Sequence, residues 1–187
     1  MIFKLNGRSD EMMNQHDLDI VVKPAEESQL DFLEEVFSPG NLTKPQYRRY
    51  EVQEKGEGVY LIAWHQNHPI GHFLLRWSGP QDPHVTQNID VTHSAFLEGG
   101  LTKDDYRKKG VATAIIREAE RCSRERGCTH IGLEVSSKDN PEARRLYENL
   151  GYIDWGYGDF QISWEYHDKN GTSIRSDIVI FMQKSLA

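Results

Sequence analysis

Apolar residues along the chain follow two periods, one near 3.6 and one near 2, and the switches between them mark out the elements. Asp19-Ile-Val-Val-Lys23 reads as a short strand closed by Pro24. Leu30, Leu33, Val36 and Phe37 recur at helical spacing and predict a helix over 25–37, which Ser38-Pro-Gly-Asn41 breaks. A polar helix is expected over 43–54, then two strands over 59–64 and 70–77 around an Asn67-His-Pro turn. Residues 79–94 carry two prolines and little periodicity, and read as a loop. The second half is more regular, with a strand over 95–102 and a helix over 110–126. That helix carries Val111, Ala114, Ile115, Ala119 and Cys122 on one stripe and is stopped by Gly127. A strand over 129–135 and a helix over 140–150 ended by Gly151 come next. Strands over 161–166 and 178–183 flank an Asp168-Lys-Asn-Gly171 turn. This order predicts one α/β domain, a mixed sheet with helices on both faces. Residues 19–187 form the domain and 1–18 a polar, aperiodic extension.

Composition narrows the class. With 187 residues, 37% hydrophobic and 27% charged, the chain is long enough to bury a core. Its apolar runs are too short to span a membrane, and its start lacks the apolar core of a secretory signal. Two cysteines, Cys122 and Cys128, without a CxxC pattern suit a reduced, cytoplasmic setting and read as packing residues. A net charge of −7 argues against nucleic acid as a partner. Against it, the run Lys103-Asp-Asp-Tyr-Arg-Lys-Lys109 is a local cationic loop suited to a small polyanion.

That loop runs from a strand into a helix. A helix N-terminus presents unpaired N–H groups and the positive end of a dipole, which together attract anions. Gly110 lets the chain turn tightly, Ala112 is small enough for close approach, and Thr113 offers a hydroxyl. Arg107, Lys108 and Lys109 add positive charge. The loop has neither a P-loop ending nor dinucleotide-loop spacing. Arg107-x-x-Gly110-x-Ala112 opening an amphipathic helix resembles the pyrophosphate loop of the GNAT superfamily. Asn140-Pro-Glu-Ala-Arg-Arg-Leu-Tyr147-Glu-Asn-Leu-Gly151-Tyr152 resembles that family's second motif. The resemblance spans 95–155, with one departure: Lys108 stands where many relatives have glycine.

The resemblance implies a GNAT fold, with a mostly antiparallel twisted sheet flanked by helices. It also implies acetyl-CoA as co-substrate and transfer of the acetyl group to an amine. Residues Arg107 to Thr113, including Val111, would hold the diphosphate, and Asn140 would touch the pantetheine. Tyr147 would protonate the departing thiolate. Independently, Asn140-Pro141 is a good helix start, and a tyrosine seven residues on returns to nearly the same face. With a hydroxyl pKa near 10, tyrosine is a neutral proton donor at pH 7. A core tyrosine packed beside Leu146 and Leu150 is the alternative reading.

Period-two alternation in Ala95 to Thr102 places Phe96, Glu98, Gly100 and Thr102 on one face, and Gly99-Gly100 signals a bulge or close approach. In the GNAT fold this strand parts from the next, which implies backbone contacts to acetyl-pantetheine from Leu101 and Thr102. Glu98 is the candidate base, with Glu134 in reserve. A lysine-like amine costs about 4.6 kcal/mol to deprotonate at pH 7, and an α-amine about 1. His65, His68 and His72 around the hairpin match no metal motif. Trp155, Tyr157, Phe160, Trp164 and Tyr166 read as sheet packing, some of them walling an acceptor pocket. The expected acceptor is a small-molecule amine, with no nucleic acid or membrane partner and with a homodimer allowed. A protein acetyltransferase and a non-catalytic acyl-CoA-binding module are the rival readings.

Overall fold

The computed structural model describes residues 18–168 and 171–187. The expected extension, apart from Leu18, and Lys169 and Asn170 of the expected hairpin turn lie outside them. Eight strands form one sheet: β1 (Val21–Pro24), β2 (Gly58–His65), β3 (His68–Arg76), β4 (Ser94–Thr102), β5 (His130–Ser136), β6 (Ile153–Asp154), β7 (Phe160–Asp168) and β8 (Gly171–Ser185). The order is β1-β2-β3-β4-β5-β8-β6, with β7 also paired to β8. Only β4 and β5 run parallel; every other pair is antiparallel. The helices are α1 (Leu30–Phe37), α2 (Pro45–Glu54), a single turn α3 (Pro83–Thr86), α4 (Val111–Arg126) and α5 (Pro141–Asn149).

The helices divide between the faces as alternation in the strands requires. Tyr60, Ile62, Trp64 and Leu74 point toward α1 and α2 and form one core with Leu30, Leu33 and Val52. Leu61, Ala63, Leu75 and Leu97 point the other way, into a larger core with Val111, Ile115, Ile116 and Ala119 of α4. Glu120 of α4 is buried and accepts at 2.8 and 2.9 Å from the Lys184 ammonium, which ties α4 to β8, with Arg124 at 3.6 Å.

Four local expectations need correction. The first helix begins at Leu30, after a 3₁₀ turn over Glu27–Gln29, where the sequence suggested Ala25. The β2–β3 turn is Gln66-Asn67, one position earlier than expected. Both residues have positive φ (48° and 66°), the mirror-image turn whose twist matches a hairpin. The segment 79–94 contains α3, started by Asp82, whose carboxylate accepts the His84 N–H at 2.8 Å. The fourth is the face assignment of β4. Between the pairs Leu74↔Glu98 and His72↔Leu101, β4 spends one residue more than β3. That bulge, with Gly99 at φ 62°, breaks strict alternation, so Glu98 and Thr102 do not share a face.

Candidate active site

The β4–β5 pairing ends early. Ser94 to Leu97 pair with His130 to Leu133, and beyond them the strands part while β4 stays on β3 as far as Thr102. A cavity opens on each face of the sheet at this parting.

The first cavity, about 870 Å³, lies on the α4–α5 face. Gly100, Leu101, Thr102, Arg107, Lys108, Gly110 through Thr113, Asn140 and Tyr147 all line it. Lys109 is the one predicted loop residue outside the lining; its ammonium lies 5.7 Å from the Tyr106 ring centre. The first backbone bond of α4 runs from Ala114 N–H to Gly110 O at 2.9 Å. Among the described residues, the N–H groups of Val111, Ala112 and Thr113 have no backbone acceptor. Lys108 and Gly110 both take left-handed backbone, with φ 60° and 83°, which turns the loop back over the helix end. A Cβ added at Gly110 would meet nothing within 4 Å, so the space above the turn is open. Lys108 thus holds a conformation that costs a side chain energy and that glycine would adopt freely. Arg107 pairs with Asp104 and Lys108 with Glu142, each at 2.8 Å and exposed. Exposed pairs are weak, so these cations can exchange partners for an anion. Free N–H groups, open space and cations together fit a diphosphate.

Asn140 caps α5, its Oδ1 accepting the Ala143 N–H at 3.1 Å, and still lines the cavity. Two turns on, Tyr147 lines the same cavity while only 8% exposed. Gly151 (φ 90°) ends the helix and Tyr152 N–H bonds back to Tyr147 O at 3.0 Å, with the two rings 6.0 Å apart. Burial pushes the Tyr147 hydroxyl up to about 12, so it keeps its proton at neutral pH. It makes no side-chain hydrogen bond to any described residue.

Strand alternation divides Leu101 from Thr102. Lys103 N–H bonds to Ile70 O on β3 at 3.0 Å, so the amide one residue back, that of Thr102, points away from β3 into the opened gap. Leu101 turns its carbonyl toward Gly71 of β3, and its side chain is 38% exposed between the two cavities.

The second cavity, about 630 Å³, lies on the α1–α2 face. It is lined by the α1–α2 connection, Gln46, Arg48 and Arg49 of α2, His72, the Gly99-Gly100-Leu101 bulge, and Trp164 to His167 of β7. Gly100 and Leu101 belong to both cavities. The two glycines serve different neighbours. A Cβ at Gly100 would fall 2.1 Å from the Phe73 ring, and one at Gly99 would fall 3.2 Å from the Arg49 guanidinium.

Glu98 and Glu134 are the first residues past the last β4–β5 pair, one on each diverging strand. Glu98 lies opposite Leu74, hence on the α1–α2 face. One of its oxygens accepts from Arg76 Nε at 2.8 Å. Glu134 is raised to about 7, first by burial and then by the charges of Asp82 and Glu98. Neither carboxylate lines either cavity; Glu134 is the more buried and carries the raised pKa, while Glu98 is held by an arginine. Of the aromatic group, Trp155 and Phe160 are core, Tyr157 is exposed, and Trp164 and Tyr166 wall the second cavity. His72 is separate from His65 and His68: it is 2% exposed, between Phe37 and Tyr60. Among the described residues no group of three or more potential metal ligands occurs. No helix there is long and apolar enough to cross a membrane.

Sequence reasoning missed Arg49, Arg48 and His72. The only signal was a pair of arginines on a helix with almost no apolar face, which reads as ordinary surface.

A buried tyrosine and a helix end with free N–H groups share one cavity, and a second cavity meets it from the opposite face of the sheet. The chain belongs to the acetyltransferase (GNAT) family, whose model matches residues 26–152. It is an acyltransferase of the mixed α/β fold that family shares, a family that uses acetyl-CoA. No curated protein matches the chain by sequence. Solved structures share the fold at low identity. One is the yncA protein of Salmonella typhimurium with its cofactor acetyl-CoA (13% identical, 90% of this chain and 94% of that one, TM-score 0.61). Another is a ribosomal-protein-alanine N-acetyltransferase from Brucella melitensis (18% identical, 88% and 99% covered, TM-score 0.59). A third is a spermidine N-acetyltransferase chimera from Vibrio cholerae and hSSAT (17% identical, 89% and 95% covered, TM-score 0.61).

Proposed function

We propose that this acetyltransferase acetylates a primary amine of a small molecule, by direct transfer with both substrates bound. The observation that carries the reading is the meeting of the two cavities at Gly100 and Leu101, where β4 leaves β5. A donor held from one face and an acceptor held from the other would react there, and holding both in place supplies much of the rate gain. At about 630 Å³, the second cavity is in the range of small-ligand sites.

Acetyl-CoA supplies an activated acyl carbonyl. The N–H groups of Val111, Ala112 and Thr113 bind its diphosphate, with Arg107 and Lys108 adding charge, and Asn140 lies along the path toward Tyr147. Thr102 N–H, aimed into the gap, is placed to stabilise charge developing on the acyl oxygen. Glu134 removes the proton from the incoming ammonium, for which a pKa of about 7 is suited. Glu98, neutralised in part by Arg76, adds negative charge beside it. Tyr147 holds the proton that the departing sulfur needs. A hydroxyl in that place has a role in transfer and none in mere binding, which favours an enzyme over a non-catalytic binding module.

Thiol release measured with acetyl-CoA and a panel of small amines tests the reading. Amine-dependent release with acetylated product is expected. Tight acetyl-CoA binding with no transfer to any small amine would defeat it.

A further inference from the structure

The second cavity contains polar groups that the transfer step does not use. Arg49 donates from Nη1 to Gln46 Oε1 at 3.2 Å, and among the described residues its guanidinium has no carboxylate partner. Gln46 is itself 1% exposed and fixed on every side. It accepts from the Tyr60 hydroxyl, donates from Nε2 to Ser38 Oγ at 3.0 Å, and its backbone N–H donates to Glu34 Oε1 at 2.7 Å. The guanidinium is thus held at one nitrogen, while Nη2 and Nε lie over Gly99, where a Cβ would sit in tight contact at 3.2 and 3.3 Å. The fork is oriented and half-buried, with donors to spare.

His72 lies beside it on the cavity wall. The ring is 98% buried by its 2% exposure, and Nδ1 has no hydrogen-bond partner. Burial first, and the Arg49 charge second, hold it well below the usual histidine range, so it is a neutral ring with an unanswered polar atom. Arg48 adds a second cation at the rim. The one acid in the lining, Glu165, is exposed and lies 3.3 Å from His167 Nε2. In a chain of net charge −7, this pocket is locally cationic.

We propose that the second cavity is a subsite for an oxyanion carried by the acceptor, so that the substrate is a short amine bearing a carboxylate or a phosphate, gripped by Arg49. The proposal rests on reading this cavity as the acceptor side. Arg49 pairs with the oxyanion through Nε and Nη2, an arrangement suited to a planar, two-point contact. His72, a neutral buried ring, adds no competing charge beside the guanidinium, and Trp164 and Tyr166 cover the ligand's carbon chain. The reacting amine is then directed toward Gly100 and Glu134, away from the guanidinium. Polyamines, which carry positive charge at both ends, and lysine side chains, which bring no oxyanion, are disfavoured.

The test compares matched acceptors on the wild-type enzyme by thiol release: an amino acid, its amide, a diamine of the same length, and a phosphate-bearing amine. Loss of a charge-assisted contact should lower kcat/KM for the amide about 10- to 100-fold relative to the acid, and the diamine should be poorer still. Whichever of carboxylate and phosphate is favoured identifies the source of the oxyanion. Arg49→Met should abolish the preference, and Arg49→Lys should retain part of it. Equal or better use of the amide or the diamine by the wild type overturns the proposal. Calorimetric binding of the amino acid, lost in Arg49→Met, reads the subsite even without turnover. Transfer to other amines with no such binding sinks the subsite and spares the parent reading, whereas binding with no transfer does the reverse.

Discussion

The two cavities that meet at Gly100 are built on opposite principles. On the α4–α5 face the ligand groups are mainly backbone: helix N–H groups at Val111 to Thr113 and the outward amide of Thr102, supported by a cap and one tyrosine. All of them come from one stretch of chain, 100–147. On the α1–α2 face the groups are side chains, drawn from α1 through β7 over residues 37–167. A backbone site reads a diphosphate that does not vary and needs only a particular chain path. A side-chain site can be changed one residue at a time without disturbing the sheet. The α4–α5 cavity is therefore a property of the fold, and the α1–α2 cavity a property of this sequence.

The sharpest way to break that contrast is at Tyr147, the one side chain on the donor face given chemical work. Tyr147→Phe should lower kcat about 10²- to 10³-fold with acetyl-CoA affinity nearly unchanged. An unaltered rate at saturating substrate would return Tyr147 to the core.

Next comes Glu134, the proposed base, one residue past the last β4–β5 pair. Glu134→Gln should lower kcat/KM about 10²-fold at pH 8 and flatten a rise with pH that the wild type shows around pH 7. A persisting rise would move the base elsewhere. Stability gives an independent check with a definite sign. The folded-state pKa lies above the unfolded value, so between about pH 4.3 and about pH 7 the folded chain binds more protons. Stability therefore falls as pH rises through that window, and denaturant unfolding of the Gln variant should lose that component.

The smallest effect concerns the backbone site. Gly110→Asp places a side chain at φ 83° and a negative charge at the helix N-terminus where the diphosphate binds. The Cβ itself meets nothing, so the penalty is strain and repulsion, about 10-fold in acetyl-CoA affinity by calorimetry. Unchanged affinity would show that the diphosphate lies elsewhere.

Reading the chain in order was most successful where contacts are local. The helix stop at Gly127, the cap at Asn140 and the loop at Arg107 to Ala112 depend on residues a few positions apart, and each was visible as spacing. The β4 face assignment failed because alternation presumes one residue per pairing step, and the bulge at Gly99 becomes apparent only against β3. Glu98 and Glu134 were indistinguishable in sequence because each is a carboxylate on a strand. Arg76 on one and burial near Asp82 on the other separate them.

The sequence alone determined the class of fold and the loop-to-helix turn at Arg107 to Ala112, because capping, turn formation and amphipathic periodicity are written in consecutive residues. Only the tertiary structure decided which carboxylate is the more buried, where β4 and β5 part, and that Arg49, Gln46 and His72 line one cavity. Those outcomes depend on desolvation and through-space charge, and both are set by which distant segments the sheet brings together.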